Sequence, residues 1–414
     1  MRLSFKFYPK LNQSELDVLD ELSFHTTKLY NIANYECITH GIKSYLELEK
    51  LLKLNWHNDF LHSHNYQQCL KVIDQDWKSY FASSRDYKKN PSKYLGIPRH
   101  PKYKNSSQKN QVIFTNLAVR THDTTMKLSL SKFMKEKFAV KSLNLTLPEK
   151  VLKQVDFNSL QQIKCIWDTR RKQWYLVIIY KQEVKTLSLD FTNVMAIDLG
   201  LDNICAVTFK YSNVQYVMNG KPLKSKNAYY NKEISRLTGI QMKSTGNKYF
   251  KRTKKINALN KKRDHYMHDA LHQISRRVVN DAMKHKCSII VIGDLKGIKQ
   301  HSKIKGFVQI PIQKLVSQIK YKAELLGVEV KLVKEYYTSG VSAYDLEPVD
   351  KRHYNINRRV KRGLFKTTQG YLVNSDINGS LNIMRRYDKN VVPMVVANLI
   401  GLVATELLLA YAPR

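Results

Sequence analysis

The chain has 414 residues and carries 70 Lys and Arg against 34 Asp and Glu, a formal net charge of +36 at pH 7. Its length predicts two or three domains, and its hydrophobic share of 43% excludes a disordered basic tail. So large a positive charge indicates a polyanionic partner, and we favour nucleic acid over an anionic membrane surface.

The cysteines and the terminal segments favour a cytoplasmic protein. The 5 cysteines lie far apart and form no CxxC pair, which argues against a disulfide scaffold and a CxxC metal knuckle. Met1–Lys10 does not resemble a signal peptide. Val391–Ala412 is apolar and about long enough to cross a bilayer, but Pro393 and Glu406 favour a packed helix or strand. We expect no membrane partner.

The first part of the chain predicts a β module with an inserted helical segment. Residues 1–10 alternate with the period of a strand and form the first strand of this module. Helical spacing and a capping box of Asn12 and Glu15 predict helices over 11–90. Residues 91–190 predict a barrel-like group of short antiparallel strands. These strands are expected at Val112–Thr115, Met126–Leu130, Phe138–Leu147, Gln162–Asp168 and Trp174–Tyr180, the last two joined as a hairpin.

Residues 191–390 alternate strands and helices and predict an α/β domain, followed by a tail at 391–414. Strands are expected at Val194–Asp198, Ile204–Phe209, Val214–Met218, Ser288–Ile292 and Val328–Val333. Helices are expected as one long basic helix from Lys243 through Val279, then at Ile312–Leu326 and Asp376–Tyr387.

Three acidic residues occupy the positions where α/β folds place their chemistry, which are strand ends and helix starts. Asp198 ends an apolar strand, Glu335 ends another, and Asp376 lies at or near the start of the last helix. Carboxylates that converge from separate segments can hold the Mg²⁺ ions that hydrolyse phosphodiesters. Each residue also has a structural interpretation, as a turn residue (Asp198), a solvated strand-end charge (Glu335) or a helix cap (Asp376).

Basic residues cluster on the predicted long helix and in the stretch before Asp376. A run of one sign on a helix is unfavourable without a counter-charge, which indicates contact with phosphates. The candidate nucleic-acid-binding residues are Lys251, Arg252, Lys254, Lys255, Lys261, Lys262, Arg263, Arg276, Arg277, Arg358, Arg359, Lys361 and Arg362. Nearby aromatic residues that could stack on unpaired bases are Tyr229, Tyr230, Tyr249 and Phe250.

Sequence motifs in the second half resemble those of the TnpB family of transposon-encoded proteins, relatives of the compact type V CRISPR effectors. The motifs are MAIDLGLDNICAVTF, VMNGKPLKSKNAYYNK, RDHYMHDALHQISRRVV, IIVIGDLKGIKQ, EYYTSGVSAYDLEP, RVKRGLF and NSDINGSLNIMRR, with weaker matches at IPRHPKYK and VIFTNLAVR. The resemblance implies an RNase H-like RuvC nuclease domain and an N-terminal β-barrel-like wedge module with an inserted recognition segment. It also implies Mg²⁺ or Mn²⁺ as cofactor, a guide RNA from the transposon end, and double-stranded target DNA cut beside a short transposon-associated motif.

The second RuvC motif departs from the family pattern. The family carries a catalytic glutamate where this chain has Gly293 at the end of IIVIG. The neighbouring Asp294 should face away from that site, because side chains alternate along a strand. Some members of the family place a glutamate before a Tyr-Thr-Ser sequence, and Glu335 matches that rearranged position. We therefore expect Asp198, Glu335 and Asp376 to be the catalytic metal ligands, with Asp294 as the alternative to Glu335.

The zinc ribbon of many relatives is also altered. The four positions of its CxxC pairs are Ser342, Asp345, Lys366 and Gln369, which are not a ligand set for Zn²⁺. We therefore expect no zinc in the region 338–375.

Four functional hypotheses follow. The first is an RNA-guided DNA endonuclease of a transposon system, and the second is a nuclease-dead, RNA-guided repressor of the same family, which Gly293 keeps open. A transposase and a non-catalytic RNA-binding protein come third and fourth. A prokaryotic, nucleoid-associated location fits all of them, and the sequence leaves the oligomeric state open.

Overall fold

A computed structural model gives the structure of the chain. It describes residues 1–169, 171–184, 193–246, 253–294, 310–361 and 363–397. The chain divides into two compact units, an N-terminal unit at Met1–Glu183 and a C-terminal unit at Val184–Arg414.

The N-terminal unit contains two antiparallel sheets, ordered β1-β7-β6-β2 and β3-β4-β5. Its strands are β1 (Arg2–Phe7), β2 (Val112–Thr115), β3 (Val119–His122), β4 (Thr125–Leu128), β5 (Leu143–Thr146), β6 (Leu160–Asp168) and β7 (Gln173–Lys181). Its α-helices are α1 (Gln13–Thr39), α2 (Tyr45–Leu51), α3 (Ser63–Lys89), α4 (Lys132–Lys137) and α5 (Glu149–Gln154). Because β1 pairs with β7, the longest helices are inserted in the sequence between two strands of one sheet. Closure of these strands into a barrel stays a prediction.

Local sequence signals in this unit are mostly confirmed. The side chain of Asn12 accepts a hydrogen bond from Glu15 N at 2.9 Å, and Glu15 Oε2 accepts one from Asn12 N at 2.9 Å, so the capping box starts α1 as predicted. The predicted β6–β7 hairpin forms. The strand predicted over Phe138–Leu147 was wrong in its first half. Helix α4 ends there, and Ala139 takes a left-handed conformation with φ of 52° that interrupts extended backbone.

The C-terminal unit has a five-stranded mixed sheet of order β10-β9-β8-β11-β12, which confirms the predicted α/β class. Strand β9 runs antiparallel to both of its neighbours, β8 and β10, whereas β11 runs parallel to both β8 and β12. The strands are β8 (Val194–Leu199), β9 (Asn203–Phe209), β10 (Gln215–Asn219), β11 (Ile289–Asp294), β12 (Glu329–Lys334), β13 (Leu364–Lys366) and β14 (Leu372–Asn374). The α-helices are α6 (Lys221–Thr245), α7 (Lys254–Lys284), α8 (Ile312–Glu324), α9 (Ser375–Tyr387) and α10 (Met394–Ala397).

Helices cover both faces of this sheet, and side-chain alternation decides which residues meet them. On β8, Met195 and Ile197 belong to the core that includes α7 and α8. The intervening Val194 and Ala196 pack in a separate core with residues of α9, such as Ile383. The sheet therefore has an α7–α8 face and an α9 face, and each strand contributes alternate residues to each.

The single long basic helix expected from Lys243 through Val279 was wrong. Helix α6 ends at Thr245, where Gly246 adopts a left-handed φ of 62°. Helix α7 begins after Thr253, whose hydroxyl accepts a hydrogen bond from Ile256 N at 3.2 Å. A glycine C-cap and a threonine N-cap thus divide two helices, and the segment 247–252 between them is outside the described residues.

The last predicted helix is confirmed as α9, although α10 follows it. Within the described residues, none of the helices has the length and apolarity needed to cross a bilayer. Most of the apolar segment Val391–Ala412 lies outside the described residues, since these end at residue 397. All 5 cysteines are buried and unpaired.

Candidate active site

Asp198 lies on β8 and points to the α9 face of the sheet, because it has the same parity as Val194 and Ala196. Its carboxylate lies against Gly379 of α9, where an added Cβ atom would come within 2.4 Å of Asp198 Oδ2. Only glycine permits this close approach of the helix to the carboxylate. Asp198 is thus a strand residue facing a helix, which argues against the alternative of a simple turn residue.

Glu335 directly follows β12 and has the same parity as Val333, which packs in the α9-side core. Its side chain lies over Gly293 of β11, so closely that a Cβ atom there would be 1.8 Å from Glu335 Oε1. That oxygen is buried and has no hydrogen-bond partner among the described residues. A solvated strand-end charge would not be buried in this way. The rearranged glutamate predicted from the sequence therefore occupies the space above Gly293.

Asp376 lies in the first turn of α9, but it does not cap the helix. The cap is Asn374, whose Oδ1 accepts hydrogen bonds from Asp376 N at 2.9 Å and Ile377 N at 3.1 Å. Asp376 Oδ2 instead accepts a 2.7 Å hydrogen bond from the side chain of Asn203, the first residue of β9. The carboxylate is held toward the strand that follows Asp198 in the chain.

The three carboxylates interact electrostatically. Burial, with the charges of Glu335 and Asp376, raises the pKa of Asp198 well above its ordinary value. Burial, with the charge of Asp294, raises the pKa of Glu335 to about 7. Arg359 opposes these effects by lowering the pKa of Asp198. The site therefore concentrates negative charge that a single nearby guanidinium only partly offsets.

Asp294 occupies a different position from the other acids. It is the last residue of β11 and shares the parity of Ile290 and Ile292, which pack in the core of the α7–α8 face. It acts on Glu335 through its charge. The alternation argument that favoured Glu335 over Asp294 agrees with this placement, and the catalytic role of either residue stays a prediction.

The donor set suits a hard divalent cation. All three side chains offer oxygen ligands, their charges repel one another, and Glu335 Oε1 is a buried acceptor without a donor. A bound cation would offset the repulsion between these carboxylates and would give Glu335 Oε1 a partner. As the side chains stand in the parts of the chain that are described, no three His, Cys, Asp or Glu residues are arranged to hold one ion. The residues fit a cation chemically, and their side chains would have to move to form a ligand set of three.

A cavity of about 320 Å³ opens beside Asp376 and Asn203. Arg359 and Lys221 line it as well, and Arg359 also donates a 3.3 Å hydrogen bond to Ser375 Oγ. The lining combines these two cations with two carboxylates, those of Asp202 and Asp376, and the cations can contact the phosphate of a phosphodiester. Among the predicted nucleic-acid-binding residues that the structure describes, Arg359 is the one that lies near the carboxylates.

The polar residues of α9 were missed by the sequence analysis, although they lie within the motif NSDINGSLNIMRR. Ser380 Oγ donates to Ala196 O at 3.0 Å and thereby fixes α9 on β8. Asn378 donates to Val341 O at 2.8 Å, and Asn382 donates to Thr338 O at 3.0 Å. These bonds attach α9 to the segment that follows Glu335. Their repetition at a spacing of four residues was the available signal, since it places Asn378 and Asn382 on one side of a helix.

The region expected to lack zinc is held by polar side chains. Glu347 forms an ion pair with Arg358 Nη1 at 2.6 Å and accepts a hydrogen bond from Ser342 N at 3.0 Å. Asp345 Oδ2 accepts two hydrogen bonds from Thr368, from N at 2.6 Å and from Oγ1 at 2.7 Å. This network, which we name the Glu347–Arg358 network, joins the turn that contains Ser342 and Asp345 to the residues that directly follow β13. The absence of zinc itself stays a prediction.

The other predicted nucleic-acid-binding residues are spread along α7 and the loop before α9. Lys254, Lys255 and Lys262 are exposed on α7, whereas Arg263 donates to Asn227 of α6 at 2.6 Å. The predicted residues that lie outside the described parts are Lys251, Arg252 and Arg362, with the aromatic candidates Tyr249 and Phe250. The remaining aromatic candidates differ, because Tyr229 is exposed and Tyr230 is buried.

Comparison with known families agrees with the sequence motifs. Residues 177–299 match a family described as probable transposase. Residues 313–383 match the family described as Cas12f1-like, TNB domain. The resemblance to the TnpB family that the motifs indicated is therefore confirmed, and it extends to the Cas12f1 proteins.

Two curated relatives are similar to this chain. CRISPR-associated endodeoxyribonuclease Cas12f1 of Sulfoacidibacillus thermotolerans is 25% identical over 275 residues, which are 65% of this chain and 63% of that protein. TnpB-like protein ORF457 of Acidianus two-tailed virus is 23% identical over 249 residues, 54% of this chain and 52% of that protein. The chain thus matches less than two thirds of each relative's length.

A solved structure has a similar fold. It is a chain from the cryo-EM structure of the Cas12f1-sgRNA-target DNA complex, with a TM-score of 0.60 and 15% sequence identity. The similarity covers 89% of this chain and 82% of that chain. At this level of identity the comparison supports the fold.

Proposed function

We propose that the protein is an RNA-guided DNA endonuclease that hydrolyses phosphodiester bonds at Asp198, Glu335 and Asp376. The observation that carries this proposal is the placement of three carboxylates on the α9 face of the sheet, where Glu335 and Asp376 both raise the pKa of Asp198. A structural role alone gives no reason to gather repelling charges in one place. The name of the relative from Sulfoacidibacillus thermotolerans, an endodeoxyribonuclease, supports the same reaction class.

The cofactor of this reaction is Mg²⁺ or Mn²⁺, and the same three residues would hold it. A divalent pair in such a site supplies an activated water and charge stabilisation at the leaving oxygen. The chain's own residues position the components. Asn203 holds the carboxylate of Asp376, and Gly293 leaves room for that of Glu335. Arg359 lines the adjacent cavity and can contact the DNA phosphate there.

The finer features follow the family resemblance and remain part of the proposal. They are a RuvC-type, RNase H-like nuclease domain, a guide RNA that originates at the transposon end, and cutting beside a short transposon-associated DNA motif. Base pairing by the guide would select the target, while basic residues hold the nucleic-acid backbone. The net charge of +36 suits that division of labour. A location with the prokaryotic nucleoid would follow from these partners.

The experiment uses the full chain purified together with its co-expressed RNA. The RNA is sequenced to define the guide, and plasmids that carry the matching target beside randomised flanking sequence are incubated with Mg²⁺. We expect cutting by the wild-type protein and none by the Asp198→Ala variant, while both bind target DNA. Asp269→Ala, at an exposed position on α7, is the matched control. Equal cutting by the wild-type and Asp198→Ala proteins would exclude this site.

A nuclease-dead, RNA-guided repressor is the second candidate. One observation favours it, since no group of three acidic, His or Cys side chains in the described residues is arranged to hold an ion. The same experiment separates the two, because a repressor binds the target DNA in an RNA-dependent manner and leaves the plasmid intact in both Mg²⁺ and Mn²⁺.

A further inference from the structure

A basic groove lies on the side of the C-terminal unit that is opposite the carboxylates. It has a volume of about 510 Å³ and is formed by α7 and α8. These two helices cover the α7–α8 face of the sheet, whereas Asp198 and Asp376 belong to the α9 face. Nothing that lines this groove also lines the cavity beside Asp376. The groove is therefore a separate site.

Positive charge dominates the groove. Arg276, Arg277 and Lys322 contribute three cations, and Asp281 is the acidic residue in the lining. Asp281 is already engaged, since it lies 3.5 Å from Arg277 and accepts a hydrogen bond from Tyr216. No acidic side chain in the described part of the chain pairs with Arg276 or Lys322 within 4 Å.

Lys322 is oriented by its surroundings. The side chain is almost fully buried, with 3% of its surface exposed. Its ammonium donates to His272 O at 2.7 Å and to Ser275 Oγ at 2.6 Å. An ammonium has three N–H donors, so the bonds to α7 leave one for a ligand. Burial, with the charge of Arg276, lowers the pKa of Lys322 to about 8. The cation is thus buried without a counter-ion, a costly arrangement that an anion would relieve.

Groups with mixed hydrogen-bonding capacity flank these cations. Asn280 and Gln273 are exposed on α7 and line the groove together with Tyr321. An amide side chain both donates and accepts hydrogen bonds, which matches the 2′-hydroxyl of RNA. The cations match the phosphates on either side of such a hydroxyl. The lining therefore favours a ribonucleotide backbone over an isolated anion.

We propose that the α7–α8 groove binds the sugar–phosphate backbone of the guide RNA. This inference rests on the proposed RNA-guided function and names a contact for the RNA partner. A DNA strand that is being cut must reach the α9 face, so a groove on the opposite face can hold another nucleic acid throughout cutting without competing for the carboxylates. The guide RNA meets that requirement.

The test measures nucleic-acid affinity of the full chain after its RNA has been removed at high salt. The probes are the RNA that co-purifies with the wild-type protein, end-labelled, and double-stranded DNA of the same length. Arg276→Gln removes one exposed groove charge, and Arg276→Lys keeps it. Lys320→Gln is the charge-matched control, because Lys320 is exposed on α8 and does not line the groove.

We expect Arg276→Gln to weaken RNA binding roughly tenfold and to lower the slope of log affinity against log salt by about 1. Arg276→Lys should recover most of the affinity, and Lys320→Gln should change it little. Equal losses of RNA affinity in Arg276→Gln and Lys320→Gln would overturn the proposal, since removal of any exposed positive charge would then have the same effect. A loss for DNA alone would also overturn it. The assay needs no cutting, so its failure is distinguishable from inactivity of the Asp198 site.

Discussion

Glu335 Oε1 lies in the space that a side chain at Gly293 would occupy, 1.8 Å from the position of a Cβ atom on that glycine. Gly293 lies on β11 and pairs in register with Val333 of the neighbouring parallel strand β12, which Glu335 directly follows. The glycine is therefore a requirement of the rearranged site, because it leaves room for a carboxylate supplied by the next strand. A glycine at position 293 and a glutamate at position 335 are therefore sterically compatible, whereas a larger side chain at 293 would displace the Glu335 carboxylate.

The first prediction concerns Gly293→Ala. The added methyl group displaces the Glu335 carboxylate, and we expect the rate of target cutting to fall roughly 100-fold, as for other displacements of about 1 Å at a reacting centre. Binding of guide RNA and target DNA should be unchanged. Single-turnover cutting and binding assays measure the two effects. Gly96→Ala is the control, since no atom lies within 4 Å of its Cβ position. Full activity of Gly293→Ala would contradict the placement of Glu335.

The second prediction moves the carboxylate back to β11. The double variant Gly293→Glu with Glu335→Ala supplies a glutamate from the usual strand and vacates the space above it. We expect the double variant to cut faster than Glu335→Ala alone, by roughly tenfold or more, since a carboxylate returns to the site. The measurement compares the cutting rates of the wild-type protein, Glu335→Ala and the double variant. No recovery would indicate that the β11 position cannot direct a carboxylate to this site.

The third prediction concerns Gly379→Ala in α9. An added Cβ atom would be 2.4 Å from Asp198 Oδ2, so the helix or the carboxylate must shift. Cutting should fall roughly 100-fold. Gly239→Ala within α6 is a helix-matched control, because no atom lies within 4 Å of its Cβ position. Cutting and thermal unfolding are measured for both. Equal activity of Gly379→Ala and Gly239→Ala would contradict the close contact between Gly379 and Asp198.

The fourth prediction is a gain of stability. Asp198 is repelled by Glu335 and Asp376 when no cation is bound, so Asp198→Asn should raise the unfolding midpoint in EDTA by about 2–4 °C. Mg²⁺ should raise the midpoint of the wild-type protein more than that of the variant, because the cation relieves the same repulsion. Differential scanning calorimetry at both conditions measures this. A lower midpoint for Asp198→Asn in EDTA would show that the carboxylate stabilises the fold.

The fifth prediction concerns the Glu347–Arg358 network. Arg358→Ala leaves the largely buried Glu347 without its partner and should reduce the free energy of unfolding by roughly 1–3 kcal/mol. The exposed Arg352→Ala should change it by less than about 0.5 kcal/mol. Urea unfolding measures both values, with and without a zinc chelator. A lower free energy of unfolding of the wild-type protein in the presence of the chelator would contradict the prediction that this region is held by the network and binds no zinc.

Much of the candidate site could be predicted from the sequence, because it depends on local rules. Strand parity placed Asp294 away from the position of the missing glutamate, and the structure has the same arrangement. Strand and helix bounds in the C-terminal unit were within a few residues, except around Gly246. The polar and basic residues on either side of Gly246 suit a helix equally well. The pattern from Lys243 to Val279 therefore resembled one helix, although α6 ends at Thr245 and α7 begins at Lys254.

Other parts of the site depend on contacts between distant segments and could not be predicted. Asn203 and Asp376 are 173 positions apart, and nothing in either motif indicates their hydrogen bond. The close approach of Gly379 to Asp198 is a property of packing between α9 and β8. Arg358 and Arg359 are adjacent in the sequence and looked equivalent, yet one pairs with Glu347 and the other lines the cavity beside Asp376.

The most direct test of the account compares two conservative variants, Glu335→Gln and Asp294→Asn, in a single-turnover cutting assay of the guide-loaded protein in Mg²⁺. Both variants remove one negative charge and keep the size of the side chain. We expect that Glu335→Gln abolishes cutting, whereas Asp294→Asn retains most of the wild-type rate. Loss of cutting in Asp294→Asn with retention in Glu335→Gln would contradict it.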